Sequence, residues 1–242
     1  MRKHVIVFAL LIISFFAWTP AYADSIAFDN ATSSSGTGTS LTYASATIAG
    51  SNKIAWTSVC FFDTSGTDIV SGITLNGVAM TRLASVRPTF TNAYQAYLYY
   101  LYGPTTGNVV ISLTTSETLY STTATYTGTA QSGTPDSATN SYANKQNGTA
   151  STTVSTANSW GLSTVCDGQT GTPTRGTNLN ATRGPGVFEA PIADSNGAVA
   201  AGAYDMTWVN SGAANTADWS VIGAAFAPFV ATPDPEQIIF FE

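Results

Sequence analysis

One stretch of the sequence, Ser45–Phe62, returns later in the chain as Ser151–Cys166, and this repeat constrains the fold more than any other feature. Each copy contains an alternating segment rich in Ser and Thr, a short turn, and a second segment that ends near a cysteine. Aligned without a gap, the copies place Thr47 on Thr153, Asn52 on Asn158, Val59 on Val165 and Cys60 on Cys166. A framework of strands and turns in two similar halves explains this pattern, which predicts a fold rather than an activity.

The start of the chain has the three parts of a secretory signal peptide. Arg2 and Lys3 precede the apolar run Val5–Trp18, and Ala21–Ala23 supplies a cleavage site of small residues. An uncleaved membrane anchor is the alternative, but the run is shorter than the roughly 18–20 apolar residues that span a bilayer. We expect residues 1–23 to be removed, leaving no membrane span. The mature protein is then expected outside the cell or at its surface, with the periplasm as a further possibility.

Removal of this leader restricts the chemistry of the mature chain. It takes away Arg2, Lys3 and the only histidine, His4, so the formal net charge of −6 falls by two further units to −8. Without histidine, catalytic systems that pair Ser or Cys with His are excluded, and so are zinc sites that need imidazole ligands. Charged residues make up only 9% of the chain and form no basic cluster, so nucleic acid is not an expected partner.

Strand and turn signals dominate the rest of the sequence. We expect Ala31–Ser40 to be a polar loop, Asn76-Gly77 to form a two-residue hairpin turn, and Ala93–Tyr102 to be a central strand covered on both faces. No segment shows helical apolar spacing with caps. The sequence therefore predicts an all-β protein, a jelly-roll β-sandwich of about eight main strands in two similar halves. An immunoglobulin-like sandwich is the alternative.

Short motifs follow one another in a distinctive order along the chain. They are S-I-A-F-D from Ser25, S-L-T-x-x-S from Ser40, G-S-N-K-I from Gly50, L-N-G-V-A-M-T from Leu75, Y-Y-L-Y-G-P from Tyr99 and Y-T-G from Tyr126. In this order they resemble a poorly characterised family of secreted or surface β-sandwich domains in bacterial and phage sequences. The resemblance covers nearly the whole mature chain. It implies an extracellular, lectin-like jelly roll and supplies no catalytic residues.

The chain has two cysteines, Cys60 and Cys166, which occupy equivalent positions in the repeat. Export to an oxidising compartment predicts that they form a disulfide. Two buried free thiols are the alternative, because both positions also suit small core residues.

Aromatic residues are the first candidates for ligand binding, since sugars stack on exposed rings. Tyr97 and Tyr99 share one face of the predicted central strand, and Trp208 and Trp219 lie near predicted strand ends. We expect the two tryptophans to be the better exposed platforms. For the tyrosines, packing in the core is the competing interpretation.

Carboxylates are the second group of candidates. The loop from Asp63 to Asp68 offers oxygen ligands to calcium, although it lacks the spacing of a known calcium loop, and a surface turn is the competing interpretation. A glycosidase needs two carboxylates, and Glu117 or Glu189 with an aspartate would supply them. The sequence shows no clustered pair, so it predicts no catalytic residue, and no cofactor other than possible calcium.

A single sandwich domain is expected over residues 24–230, followed by a proline-spaced tail, 231–242. The apolar segment Gln237–Phe241 in that tail is predicted either to pack on its own domain or to pair with a neighbouring molecule. Together these features favour a secreted, non-catalytic surface, adhesive or assembling module, with an extracellular glycan or cell-surface component as its expected ligand. A secreted carbohydrate-active enzyme and a purely structural fibre or surface-layer subunit are the alternatives.

Overall fold

The computed structural model describes residues 23–63, 65–89, 94–145, 147–167, 173–184, 190–210 and 217–231. Within these ranges the protein is all-β, and no helix is long and apolar enough to cross a membrane. The predicted leader, apart from Ala23, lies outside the described residues. So does the predicted tail, apart from Ala231.

The described residues form fifteen strands, divided between the two halves of the chain. The strands of the first half are β1 (Ala27–Ala44), β2 (Ile54–Phe62), β3 (Val70–Leu75), β4 (Val78–Ala79), β5 (Thr81–Val86), β6 (Tyr94–Tyr102) and β7 (Asn108–Thr127). Those of the second half are β8 (Asp136–Lys145), β9 (Asn147–Val154), β10 (Trp160–Asp167), β11 (Pro173–Arg175), β12 (Ala181–Arg183), β13 (Ile192–Asp194), β14 (Gly202–Asn210) and β15 (Ala217–Phe226).

The long strand β1 corrects one sequence prediction. Ala31–Ser40, expected to be a polar loop, forms the middle of β1 and pairs antiparallel with β7. The partner strand is equally rich in hydroxyl side chains, and these bond across the ladder: Ser33 Oγ lies 2.9 Å from Thr122 Oγ1, and Thr37 Oγ1 lies 2.7 Å from Thr118 Oγ1. Polarity therefore did not indicate a loop here, because Ser and Thr side chains satisfy each other across paired strands.

The β1–β7 ribbon curls over two layers of the first half. Ala27–Gly38 pairs with the end of β7 and belongs to a five-stranded layer in the order β5-β6-β2-β7-β1. Ser40–Ala44 pairs with the start of β7 and belongs to a smaller layer with β3 and β4. The first and last strands of this half therefore take part in both of its layers.

The second half repeats this arrangement, except that the short strand β4 has no counterpart there. Strands β8 and β9 replace β1, β14 and β15 replace β7, and the layers run β12-β13-β10-β15-β8 and β11-β14-β9. The register also repeats, since Ile54 faces Tyr126 in one half as Trp160 faces Phe226 in the other. The predicted all-β sandwich in two similar halves is confirmed. Each half holds about eight paired segments rather than about four, because each half has two layers of its own.

Successive side chains of a strand point alternately into the core between the two halves and into the core inside one half. In β2, Trp56 and Cys60 point toward the second half, whereas Val59 and Phe61 fill the interior of the first half. A third cluster, which includes Trp208 and Trp219, fills the second half. Strand β6 contributes to the first two clusters, so the prediction of a central strand covered on both faces is confirmed.

The predicted disulfide between Cys60 and Cys166 is confirmed. Both residues are buried in the apolar cluster between the facing five-stranded layers, with Cα atoms 5.5 Å apart. That separation lies inside the range that a disulfide spans. The bond therefore joins the two halves at equivalent positions of their central strands.

Asparagines with a left-handed backbone conformation explain two features of the sequence, the Asn-Gly turn signal and the asparagine that recurs in the repeat. Asn76 and Gly77 have φ values of 49° and 77°, which confirms the predicted hairpin turn between β3 and β4. The repeated asparagines Asn52 and Asn158 have φ values of 50° and 64°. Asparagine tolerates this backbone conformation better than most residues, so the repeat preserves a turn geometry.

Candidate functional site

Four of the residues singled out from the sequence come together at one end of the first half. Tyr97 and Tyr99 reach from β6, while Asp63 and Asp68 lie in the segment between β2 and β3. They belong to one polar network that runs along the margin of the first-half core. The residues that connect them, Gln95 and Arg82, were not identified from the sequence.

Gln95 ties the first carboxylate to the first tyrosine. Its Nε2 donates to Asp63 Oδ2 at 2.8 Å, and its Oε1 accepts the hydroxyl of Tyr97 at 2.8 Å. Asp63 also accepts the backbone N–H of Ser65 at 2.7 Å and the Ser65 hydroxyl at 2.9 Å. Gln95 is fully buried, so these bonds satisfy an amide that would otherwise be costly in the core.

Arg82 is the centre of the other part of the network. Its Nε donates to Tyr99 Oη at 2.7 Å, one terminal nitrogen donates to the Val70 carbonyl at 2.8 Å, and the other pairs with Asp68. The guanidinium carbon lies 5.2 Å and 5.4 Å from the ring centroids of Tyr97 and Tyr99. Hydrogen bonds and ring contacts of this kind hold the cation in one orientation.

The network shifts the ionisation of its members. Burial alone would raise the pKa of Asp68, but the hydrogen bond and charge of Arg82 outweigh it, and the pKa lies below its ordinary value. Burial raises the pKa values of Tyr97 and Tyr99, and the charge of Asp68 adds to this rise, while Arg82 opposes it without reversing it. Both phenols therefore stay neutral at physiological pH, and Asp68 stays charged.

A groove of about 550 Å³ opens beside Arg82. Its lining mixes hydroxyl, apolar and cationic side chains, among them Ser71, Thr74, Met80, Arg82, Tyr99 and Ser112. The Arg82 side chain is 31% exposed, so part of the guanidinium reaches the groove. The groove thus combines a fixed cation with neutral hydroxyl groups and a small apolar surface.

Asp63 and Asp68, the candidate calcium ligands, are each engaged by neighbouring groups of the protein. Asp68 pairs with Arg82 and lies 3.8 Å from Arg87, while Asp63 is engaged by its own loop and by Gln95. The described residues contain no group of three or more potential metal-ligating side chains. Burial and then the charge of Asp63 raise the pKa of Glu117, but neither of these two acids lines the groove. Glu189 lies outside the described residues.

Both candidate tryptophans are fully buried in the second-half core. The indole N–H of Trp208 donates to Ser163 Oγ at 2.9 Å, and that of Trp219 donates to the Lys145 carbonyl at 2.8 Å. The expectation that they form exposed platforms is wrong. On β14 and β15 the side chains of both tryptophans point into the core. The sequence does not show where those strands begin, so it did not show which face each tryptophan would occupy.

A second, smaller groove of about 450 Å³ lies in the second half. Half-buried Tyr204 borders it together with the amides of Asn180 and Asn196, and the remaining lining residues are small. No charged side chain lines this groove. It therefore differs chemically from the groove at Arg82, although the two halves share their strand order.

No protein-family model, no curated protein and no solved structure matches this chain. The resemblance to secreted β-sandwich domains accordingly stays a prediction, and the functional proposal depends on the geometry of the site.

Proposed function

We propose that this protein is a secreted, non-catalytic surface module that binds an extracellular glycan in the groove beside Arg82. The observation that carries the proposal is the partly exposed guanidinium, fixed by Tyr99, Asp68 and the Val70 carbonyl. A guanidinium has more N–H donors than these partners use, so donors remain for a ligand. Because the cation is already oriented, binding costs little side-chain entropy.

The other groups of the groove suit a polyhydroxylated ligand. Thr74 and Ser112 offer hydroxyls that both donate and accept, and the Ser71 hydroxyl, which donates to the Ser112 carbonyl at 3.0 Å, can still accept. Exposed Ala79 offers a small apolar surface for the carbon-rich face of a sugar ring. Tyr97 and Tyr99 serve this site indirectly: they position Arg82 rather than stack on the ligand. A predicted leader and a disulfide support an extracellular, adhesive role.

The test is a glycan array probed with the mature chain, followed by calorimetry of the best ligand. Arg82→Gln should weaken binding at least about tenfold, equivalent to about 1.4 kcal/mol. Thr74→Val should weaken it less, since it removes one hydroxyl without touching the Arg82 network. Arg175→Gln, which removes the same charge from an exposed residue of the second half, is the matched control and should leave affinity unchanged.

Three outcomes would count against the proposal. Equal binding by the Arg82→Gln and Arg175→Gln variants would place the site elsewhere. Cleavage of a bound glycan that is lost in Glu117→Gln would favour the carbohydrate-active enzyme instead. Failure of the folded protein to bind any glycan would favour the structural subunit.

A further inference from the structure

Strand β1 exposes the longest sheet edge in the described part of the molecule. It pairs with β7 over almost all of Ala27–Ala44, and no second strand of the described residues pairs with its other side. The equivalent edge strand of the second half, β8, is shorter. An open edge presents a row of unpaired backbone N–H and C=O groups that can accept another strand.

Apart from two register irregularities near its ends, β1 lacks the features that usually protect an open edge. Natural edge strands are often guarded by Lys, Pro or inward-facing charges, but β1 contains no Lys, Arg or Pro, and Asp29 is its only charged residue. Register shifts occur near Phe28 and near Gly38, so about ten residues between them form a regular ladder. That length is enough to pair with a short added strand.

The chain leaves the described structure beside the start of β1. Val230 forms an antiparallel bridge with Ala23, the last residue of the expected leader, and the backbone N–H of Asp24, which the mature chain keeps, donates to the Phe229 carbonyl at 2.8 Å. At Val230 the chain runs antiparallel to the segment that leads into β1, so its direction at that residue is away from β1. Pairing with its own β1 would require a reversal before Gln237, whereas a neighbouring molecule requires none.

The composition of the tail fits the place that a strand beside β1 would occupy. Apolar side chains of β1 lie at both ends of this ladder: Phe28 and Ala31 pack against the cluster between the halves, and Leu41 belongs to the first-half core. A strand added at this edge would lie close to both clusters, where apolar side chains on either of its faces can be buried. Gln237–Phe241 has them, since its Ile and Phe residues alternate between the two faces of an extended chain.

We infer that Gln237–Phe241 of one copy adds as a strand to the free edge of β1 in a second copy. Each copy then carries one donor segment and one acceptor edge, so the contact is head-to-tail and leads to open chains or closed rings. This inference does not depend on glycan binding.

The experiment uses the full mature chain and measures mass against concentration by light scattering after size exclusion. An Ile239→Asp/Phe240→Asp variant removes the donor. Ser34→Pro and Ser35→Pro address the acceptor, because neighbouring backbone N–H groups of a strand point to opposite sides. The variant that removes the N–H facing away from β7 should block assembly without lowering the melting temperature. Thr139→Pro in β8 is the matched control edge.

The intact chain should assemble, and both donor and acceptor variants should raise the apparent dissociation constant at least tenfold. A mixture of donor and acceptor variants should form a heterodimer and nothing larger, since each retains one functional surface. A monomeric intact chain at high concentration would overturn the inference. So would an Ile239→Asp/Phe240→Asp variant that melts earlier at unchanged mass, or assembly that only the Thr139→Pro variant abolishes.

Discussion

Replacing Cys60 and Cys166 together by alanine tests how the two halves are held together. The disulfide has a sequence separation of 106, so the loop that it closes runs from β2 through the rest of the first half to β10 of the second half. In the chain-entropy account, closing a loop of about a hundred residues restricts the unfolded chain by up to about 4.7 kcal/mol. The two sulfur atoms also fill space in the cluster between the halves, and their loss adds a small cavity cost.

We expect the double variant to lose about 3–5 kcal/mol of unfolding free energy at 25 °C. It should still fold, because aromatic contacts across the halves remain, such as Trp56 with Phe226 at 5.6 Å and Tyr126 with Trp160 at 5.8 Å between ring centroids. Its dependence on denaturant should steepen, since an unfolded chain without the cross-link exposes more surface.

Urea unfolding, followed by tryptophan fluorescence and by circular dichroism, measures both quantities. The wild-type sequence, unfolded and refolded in reductant, is the control that keeps the sulfur atoms and removes only the bond. A loss below about 1 kcal/mol in the reduced wild type would refute the loop-closure reasoning. A large loss in the alanine variant alone would assign the effect to packing.

Two further predictions concern the backbone and the polar network. Gly133→Ala should lower the free energy of unfolding by about 1–2 kcal/mol, because the φ angle of 92° is strained for alanine. No further cost is expected, since no atom lies within 4 Å of the added carbon. Gly128→Ala should lower the free energy of unfolding by about 2–5 kcal/mol, because the backbone strain is similar and the added carbon also lies 2.3 Å from the Ser25 carbonyl oxygen. Chemical denaturation measures both variants, and equal losses would contradict this account. The lowered pKa of Asp68 means that its stabilising contribution is present above the unfolded value of 3.8 and is lost as the pH falls through the folded value. The difference in unfolding free energy between wild type and Asp68→Asn should therefore shrink in acid, and a difference that grows there would contradict the assignment.

Much of the fold followed from local signals. The hairpin at Asn76-Gly77 was predictable because few residue pairs adopt that turn, and the two-faced burial of β6 was predictable from its continuous apolar run. The middle of β1 was not predictable in the same way. Its Ser and Thr residues have the composition of a loop, and they become a strand only because β7 supplies matching hydroxyl groups.

The candidate site was predictable only in part. Tyr97, Tyr99, Asp63 and Asp68 were selected individually, and the structure brings them into one network. Arg82 was missed because a single arginine in a short strand carries no sequence signal of its own. Trp208 and Trp219 were wrongly expected to be exposed, since the face of a strand residue depends on register rather than on residue type.

The sequence by itself determined the all-β class, the two similar halves and the pairing of the only cysteines, because periodicity, turn chemistry and the repeat are local properties of the chain. Tertiary structure alone decided that each half wraps into its own pair of layers, that the halves pack face to face, and that Arg82 is fixed between two tyrosines. The physical reason is that these features depend on which strands pair and in which register. Such long-range contacts follow from the burial of both faces of a sheet, which no single segment of the sequence specifies.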